Sequence, residues 1–277
     1  NIDGVSGNNQ NNIFITKNYS IFIFIEVTVD PSSITTPYIL SDSLLFEIGS
    51  NLQSVKLVAW GQDAHFYTPN TFGEIINGND TTKVFYHQIS SNQTWSNEKP
   101  HVIYGYVIID PNATLNISEG TNVYFHKNSG ILVGNPFSNQ LGGTLKVNGN
   151  YENEVTFQGD RLDPWYEDIP GQWDRIRFLP GSFDNEINYA IIKNGTTGIH
   201  ADTVSNSNPT VTINNTVIKN MSSIGILGQG AKIEASNTVV SECGQYTVAC
   251  YIGGDYTFNH CTFANYWNYS IRNSPSI

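Results

Sequence analysis

Aromatic side chains that could bind a sugar lie close together between residues 159 and 175. Trp165, Tyr166 and Trp173 have flat, largely apolar rings with a polar atom at the edge, which suits the face and the hydroxyl groups of a carbohydrate. The alternative is that the rings hold the segment against the rest of the chain, because clustered aromatic residues usually pack. We favour packing and keep carbohydrate binding as the functional hypothesis for this segment.

The same segment is rich in charged side chains that could bind a metal ion or transfer a proton. They are Asp160, Arg161, Asp163, Glu167, Asp168, Asp174 and Arg175. The carboxylates could bind calcium or act as acids, and in a lyase Arg161 or Arg175 could take up the proton beside the metal ion. However, no spacing specific to such a site occurs, and the carboxylates can pair with these arginines and with Arg177 on a solvated surface. Calcium is therefore the one cofactor considered, and the catalytic residues stay unassigned.

A second candidate site is the pair His200 and Asp202, which could act as an acid and a base. We favour a simpler interpretation, in which His200 is a surface histidine beside a polar loop. No nucleophile elbow, phosphate-binding loop or zinc motif occurs in the sequence. The spacings of 7 and 11 residues between Cys243, Cys250 and Cys261 match no zinc site. We expect free thiols, with Cys250 and Cys261 pointing inward and Cys243 at a turn.

The elements that must position these residues follow from a repeat in residues 187–273. The motif at 189–194 recurs at 215–220, 237–242 and 260–265, in steps of 26, 22 and 23 residues. A second marker, Gly198-Ile199, recurs as Gly225-Ile226 and keeps nearly the same steps. Two markers that shift together indicate a structural repeat.

Each repeat contains three short runs of alternating β-branched residues, which predicts three strands. A unit of about 22 residues is shorter than the helical repeats of ~33 to 45 residues, so the repeat predicts one coil of a parallel β-helix. Equivalent residues of successive coils should then stack in columns that point inward. Two such columns are Ile192, Ile218, Val240 and Phe263, and Ile199, Ile226, Val248 and Ile271.

Two further columns are predicted, one of buried asparagines at a turn and one on an outer face. Asn194, Asn220 and Asn265 fall at one turn, where asparagine tolerates a left-handed backbone and can bond to its neighbour's amide, and Glu242 interrupts the series. On the outer face of one sheet, β-branched residues form a narrow apolar column, here called the outer stripe. It consists of Ile191, Val217, Val239 and Thr262.

The chain divides into four parts on the same reasoning. Residues 1–12 are rich in Asn and Gly and predict a flexible N-terminus. Residues 13–90 alternate as antiparallel strands do and predict a small β-sandwich-like domain. Residues 91–101 form a polar linker, and 102–277 form the β-helix. Since the last coil lacks a polar cap, we expect the native polypeptide to continue or a partner to cover that end.

Composition excludes several classes of function. Only 13% of the residues are charged, about half the usual share, and Asn, Ser, Thr and Gly take their place. This composition is typical of turn-rich, exported all-β proteins. The net charge of −11 disfavours nucleic acid and anionic membrane surfaces as partners. No apolar run is long enough to span a membrane as a helix.

Several segments resemble a family of uncharacterised surface proteins of Bacteroidota. They are residues 117–130, 155–164, 170–174, 188–194 and 263–267, and the resemblance extends from about Val55 to the end of the chain. It implies the right-handed parallel β-helix that pectate lyases share. It also implies an exported protein of the cell surface or outer membrane, commonly lipid-anchored. It implies no activity.

Two hypotheses for function follow. The first is a non-catalytic surface β-helix that binds a protein partner, as an accessory subunit of an outer-membrane assembly. The second is a protein that binds or degrades polysaccharides, which depends on the fold analogy and on the aromatic residues of the 159–175 segment.

Overall fold

The computed structural model describes residues 7, 9–25, 38–61, 63–78, 80–202, 208–272 and 274–276. Two compact units divide the chain between Asp63 and Ala64. Most of the predicted flexible N-terminus, residues 1–12, lies outside the described residues. No helix in the described part of the chain is long and apolar enough to cross a membrane.

The first unit contains a two-stranded antiparallel sheet. Its strands are β1 (Tyr38–Ile48) and β2 (Asn51–Gly61), and they pair from end to end. The turn between them begins at Gly49, which has a φ of 62°. Glycine adopts this left-handed backbone without strain, which is why it suits the tightest hairpin turns. The predicted antiparallel structure is therefore present as one hairpin in the described residues of this unit.

The second unit is a parallel β-solenoid of about seven turns, which confirms the predicted all-β parallel β-helix. Its strands are, in chain order, β3 (His65–Tyr67), β4 (Thr71–Asn77), β5 (Asp80–Ile89), β6 (Gln93–Trp95), β7 (His101–Ile103), β8 (Tyr106–Ile109), β9 (Thr114–Ser118), β10 (Asn122–Phe125), β11 (Gly130–Val133), β12 (Thr144–Asn148), β13 (Val155–Gly159), β14 (Ile176–Phe178), β15 (Asn185–Asn188), β16 (Ala190–Lys193), β17 (Thr197–Ala201), β18 (Val211–Asn214), β19 (Val217–Met221), β20 (Ile224–Gln229), β21 (Lys232–Ser236), β22 (Val239–Cys243), β23 (Tyr246–Tyr251), β24 (Asp255–Asn259) and β25 (Thr262–Ala264).

Each coil contributes one strand to each of three sheets. The first sheet runs from β3 through β7, β10 and every third strand to β25. The second sheet begins with the β4–β5 hairpin and runs through β8 to β23, and the third runs from β6 to β24. Because every strand pairs with its equivalent in the next coil, side chains of like position stack directly along the solenoid axis.

The core lies inside the coils and consists of stacked apolar columns. Ile192 pairs in register with Ile218, which pairs with Val240 and then Phe263, as predicted. Ile199, Ile226 and Val248 form a second column. Ile271, predicted to extend that column, is exposed instead, because the chain forms no strand after β25 in the described residues.

The sequence placed the start of the solenoid too late. β3, β5 and β6 pair in parallel with β7, β8 and β9, so the first coil lies within the segments assigned to a sandwich-like domain and a linker. The boundaries at residues 90 and 102 are therefore corrected to 63/64. Alternating apolar and polar residues indicate a half-buried strand without showing how it pairs, and the first coil lacks the motif of the later repeats.

The cysteine predictions are partly corrected. All three thiols are free, but Cys243 is the buried one and Cys250 is exposed. Cys243 pairs in register with the buried residue Met221, so it faces the core rather than a turn. Cys250 lies on β23, the last strand of the second sheet among the described residues, which include no further coil to cover it.

Candidate functional site

The 159–175 segment leaves the solenoid after β13 and returns to it at β14. It contains a single turn of 3₁₀ helix, Pro164–Tyr166, with proline at the first position, where no backbone donor is needed. Gln172 folds the segment back on itself. Its side-chain amide donates hydrogen bonds to the carbonyl oxygens of Tyr166, at 2.7 Å, and Ile169, at 2.8 Å. The segment is therefore an ordered loop attached to the coils.

The three aromatic residues of this loop do not form one surface. Trp173 is only 1% exposed, and its ring stacks on Phe125 with the centroids 4.2 Å apart. Its indole N–H donates to the carbonyl oxygen of Lys193 at 2.9 Å. Trp165 is 79% exposed, and the ring of Tyr166 lies beneath the Arg161 guanidinium at 3.9 Å. Trp173 is thus a core residue, which corrects its assignment to a carbohydrate site with Trp165 and Tyr166.

The charged side chains of the loop also lie in different places and bond to different partners. The Nδ1 atom of His126 lies 2.7 Å from a carboxylate oxygen of Asp160, and Arg161 donates to Asp163 at 3.3 Å. Asp174 lies elsewhere, beside Arg175. Among the described residues, no group of three His, Cys, Asp or Glu side chains is placed to hold a metal ion. The loop carboxylates therefore do not converge on a calcium site of that kind.

The structure joins Asp174 and Arg175 to the separate His200–Asp202 candidate. Arg175 donates to both carboxylate oxygens of Asp174 at 3.0 Å, and its Nη1 donates to Nδ1 of His200 at 3.2 Å. His200 Nε2 lies 3.0 Å from Asp202 and 2.8 Å from the amide oxygen of Gln229. These side chains form one continuous network on the outer face of the second sheet.

The ends of this network lie on neighbouring coils. Arg177 donates to Asp202 from two guanidinium nitrogens at 2.9 Å, and the hydroxyl group of Tyr106 donates to Asp174. Burial and this hydrogen bond raise the pKa of Tyr106 well above its usual value. Burial alone would raise the pKa of Asp202, but the hydrogen bond from His200 and the charge of Arg177 outweigh it and lower the pKa.

This bonding pattern defines the chemistry open to the network. Since an arginine can only donate, Nδ1 of His200 must accept from Arg175, and Nε2 therefore carries the proton that Asp202 and Gln229 share. Both ring nitrogens are thus engaged, and His200 and Asp202 are buried. His200 is therefore buried within a bonded network and is not the surface histidine that the sequence predicted. The arrangement links side chains of successive coils and leaves no free base on His200.

Two members of the network were not found from the sequence. Tyr106 is 68 residues from Asp174, and Gln229 is 29 residues from His200. The register of the coils could have indicated Gln229. Arg177 pairs with His200, and His200 pairs with Leu227, which lies two positions before Gln229 on the same strand. A depression of about 260 Å³ lies beside the network and is bordered by Tyr106, Trp173 and Asp174. It is shallow and polar.

Comparison with protein-family models, curated proteins and solved structures finds no match for this chain. The resemblance to Bacteroidota surface proteins therefore remains a prediction.

Proposed function

We propose that this chain is a non-catalytic, exported β-helix protein of the cell surface that binds a protein partner through its β4–β5 hairpin. The apolar surface that this hairpin exposes is the observation that supports the proposal most directly. Patches of exposed apolar side chains on soluble proteins commonly mark interaction sites.

The hairpin extends beyond the coils. Residues 86–89 of β5 pair with β8, whereas residues 80–85 pair with β4 alone. Glu74 faces Lys83 across the two strands, so the charges near its middle balance each other. A two-stranded hairpin by itself is at best marginally stable in water. This extension therefore gains stability from any surface that packs on it.

Both faces of the hairpin are apolar. Ile75 and Ile76 are neighbours in one strand and so point to opposite faces, and Ile76 is 69% exposed. On the facing strand Phe85 is 60% exposed, and its ring lies 5.8 Å from that of Phe72. The face with Ile76 and Phe85 is the more open one, because Phe137 already packs against Gly73 and Tyr86 on the opposite face.

The edge of the hairpin indicates what kind of partner fits. β4 is the last strand of the second sheet in the described part of the chain, so its outer edge presents backbone donors and acceptors. An extended protein segment with apolar side chains can add to such an edge as a further strand. We therefore take the partner element to be a β-strand of another protein.

Localisation and the lack of catalysis are parts of the same proposal. The small share of charged residues and the resemblance to Bacteroidota surface proteins support export to the cell surface or outer membrane, with lipid anchoring and membership of an outer-membrane assembly. The engagement of both nitrogens of His200 supports a binding role over an acid/base one.

Purification from native membranes in mild detergent tests the proposal. A protein that accompanies the unaltered chain should be lost with Ile76→Lys, because lysine on the edge strand opposes strand addition. It should be retained with Val217→Lys, which adds the same charge on the outer stripe of a different sheet. Equal recovery with both variants, or a native chain that purifies without any partner, would contradict the proposal.

A further inference from the structure

A depression of about 230 Å³ lies beside the last coils of the solenoid. We call it the C-terminal cleft and define it by Asp168, Lys219, Glu242, Tyr266, Trp267 and Tyr269. Asp168 belongs to the 159–175 loop, Lys219 and Glu242 lie on successive coils, and the aromatic residues follow β25. The cleft is separate from the β4–β5 hairpin, which belongs to the first coil.

Three aromatic rings line the cleft, and two of them, Trp267 and Tyr269, are held in place by hydrogen bonds. Tyr266 is 78% exposed and Tyr269 is 48% exposed. The hydroxyl group of Tyr269 donates to the backbone oxygen of Asp168, and the indole N–H of Trp267 donates to Ser270 Oγ at 2.9 Å. The rings of Trp267 and Tyr269 lie 5.2 Å apart. Rings fixed in this way lose little conformational freedom when a ligand stacks on them.

One ammonium group and one carboxylate, those of Lys219 and Glu242, also line the cleft. Within the described residues, no hydrogen bond or ion pair engages the ammonium group of Lys219 or the carboxylate of Glu242, so both groups can bond to a ligand. The side-chain NH2 group of Asn220 is already used, since it donates to Asp168 and to Asn194. The cleft therefore offers a strong donor and a strong acceptor beside apolar rings.

Glu242 breaks the pattern of the column in which it lies. Asn194 and Asn220 occupy the same turn in the preceding coils with φ of 67° and 57°, and Glu242 adopts a φ of 54° there. A glutamate is uncommon in this left-handed region. The next residue of the column, Asn265, bonds to the backbone of Cys243. The carboxylate of Glu242 therefore takes no part in the hydrogen bonds between stacked residues of this column. Its presence in the turn is not required by the stacking.

We propose that the C-terminal cleft binds a neutral saccharide. A sugar ring presents an apolar C–H face that suits Tyr266 and Trp267, and hydroxyl groups that can donate to Glu242 and accept from Lys219. Acidic sugars are disfavoured by the two carboxylates of the cleft and by the net charge of −11. The cleft is smaller than the pockets of ~300 to 1,000 Å³ that hold larger ligands, so it takes one sugar unit.

Saturation-transfer NMR with neutral hexoses, N-acetylhexosamines and their short oligomers tests this site. We expect saturable binding in the millimolar range, since a shallow cleft contacts few ligand atoms. Tyr266→Ala and Glu242→Gln should each weaken it at least tenfold. The matched control is Trp165→Ala, which removes an equally exposed aromatic ring from the 159–175 loop and should leave binding unchanged.

Several results would overturn the proposal. These are the absence of saturable binding by every neutral sugar, stronger binding of a uronic acid than of its neutral counterpart, and a loss with Trp165→Ala rather than Tyr266→Ala. Thermal unfolding of each variant shows whether the fold is intact. If Tyr266→Ala is unstable, Glu242→Gln alone must weaken binding, and unchanged affinity in that variant would equally overturn the proposal.

Discussion

Trp173 stacks on Phe125 across the coils, with the ring planes 11° from parallel. The contact attaches the end of the 159–175 loop to the core. Trp173→Ala should lower the free energy of unfolding by roughly 3 to 5 kcal/mol, because it removes a large buried ring and leaves a cavity. Trp165→Ala, at the exposed end of the same loop, should change it by no more than about 0.5 kcal/mol. Urea unfolding of both variants measures the difference, and similar values for the two would contradict the buried placement of Trp173.

The stacked asparagines Asn194 and Asn220, here called the asparagine ladder, should hold the 159–175 loop as well as the coils. Asn220 donates to Asn194 at 2.8 Å and to the backbone of Asp168, and Asn194 donates to Glu167 at 2.8 Å. Asn220→Ala removes buried hydrogen bonds and should cost roughly 1 to 3 kcal/mol. It should also speed trypsin cleavage after Arg161, because the loop loses an anchor.

Asn214→Ala is the matched control for the ladder. Asn214 donates to Asn188 at 3.0 Å, but it is only half-buried and does not contact the loop. We expect a smaller loss of stability and no change in the rate of cleavage after Arg161. If both variants were cleaved equally fast, the ladder would have no role in holding the loop.

Stability should fall in mild acid because of His101. Burial, with a smaller contribution from the nearby His65, lowers the pKa of this histidine to about 4, against the opposing effect of the hydrogen bond to the Ser96 carbonyl. Its unfolded pKa is about 6.5. Between these values only the unfolded chain binds the proton, so the stability present above pH 6.5 declines as the pH falls towards 4.

Titration of the unfolding free energy checks this effect. The slope owed to His101 is at most roughly 1.4 kcal/mol per pH unit, and His101→Gln should remove it. His126→Gln, which changes a histidine with a half-exposed side chain, serves as the comparison. A slope that persists in His101→Gln would mean that other groups cause the acid sensitivity.

The outer stripe should tolerate a charge. Ile191, Val217 and Val239 are stacked in register, as predicted, and all three are at least partly exposed. Val217→Lys should therefore change stability by no more than about 0.5 kcal/mol. Ile218→Lys, one residue further and fully buried, should prevent folding, because it places an unpaired charge in the core. A large loss with Val217→Lys would show that another surface covers the stripe.

The repeat made the solenoid predictable from the sequence. A period of 22 to 26 residues aligned Ile192 with Ile218 and Asn194 with Asn220, and the observed register agrees. The first coil could not be recognised in the same way, since β3 and β5 share no motif with the later coils. These strands belong to the solenoid only because they pair with β7 and β8 of the next coil.

The sites were less predictable because they depend on which loop residues fold inward. Trp165 and Trp173 have the same residue type within one polar segment, yet one is exposed and the other is buried. Similarly, Tyr106 reaches Asp174 across 68 residues, and Tyr269 reaches Asp168 across 101. No local sequence pattern indicates such contacts. They form because stacking of the coils brings together residues that are far apart in the sequence.

Site-specific photocrosslinking in the native cells tests the proposed partner binding most directly. With p-benzoylphenylalanine at Ile76, we predict a discrete crosslinked product that contains a second, different protein. The matched control places the same group at Tyr151, which is similarly exposed but lies away from the hairpin. It should give no such product. Absence of the product at Ile76, the same product from both positions, or a product that contains only a second copy of this chain would contradict the account.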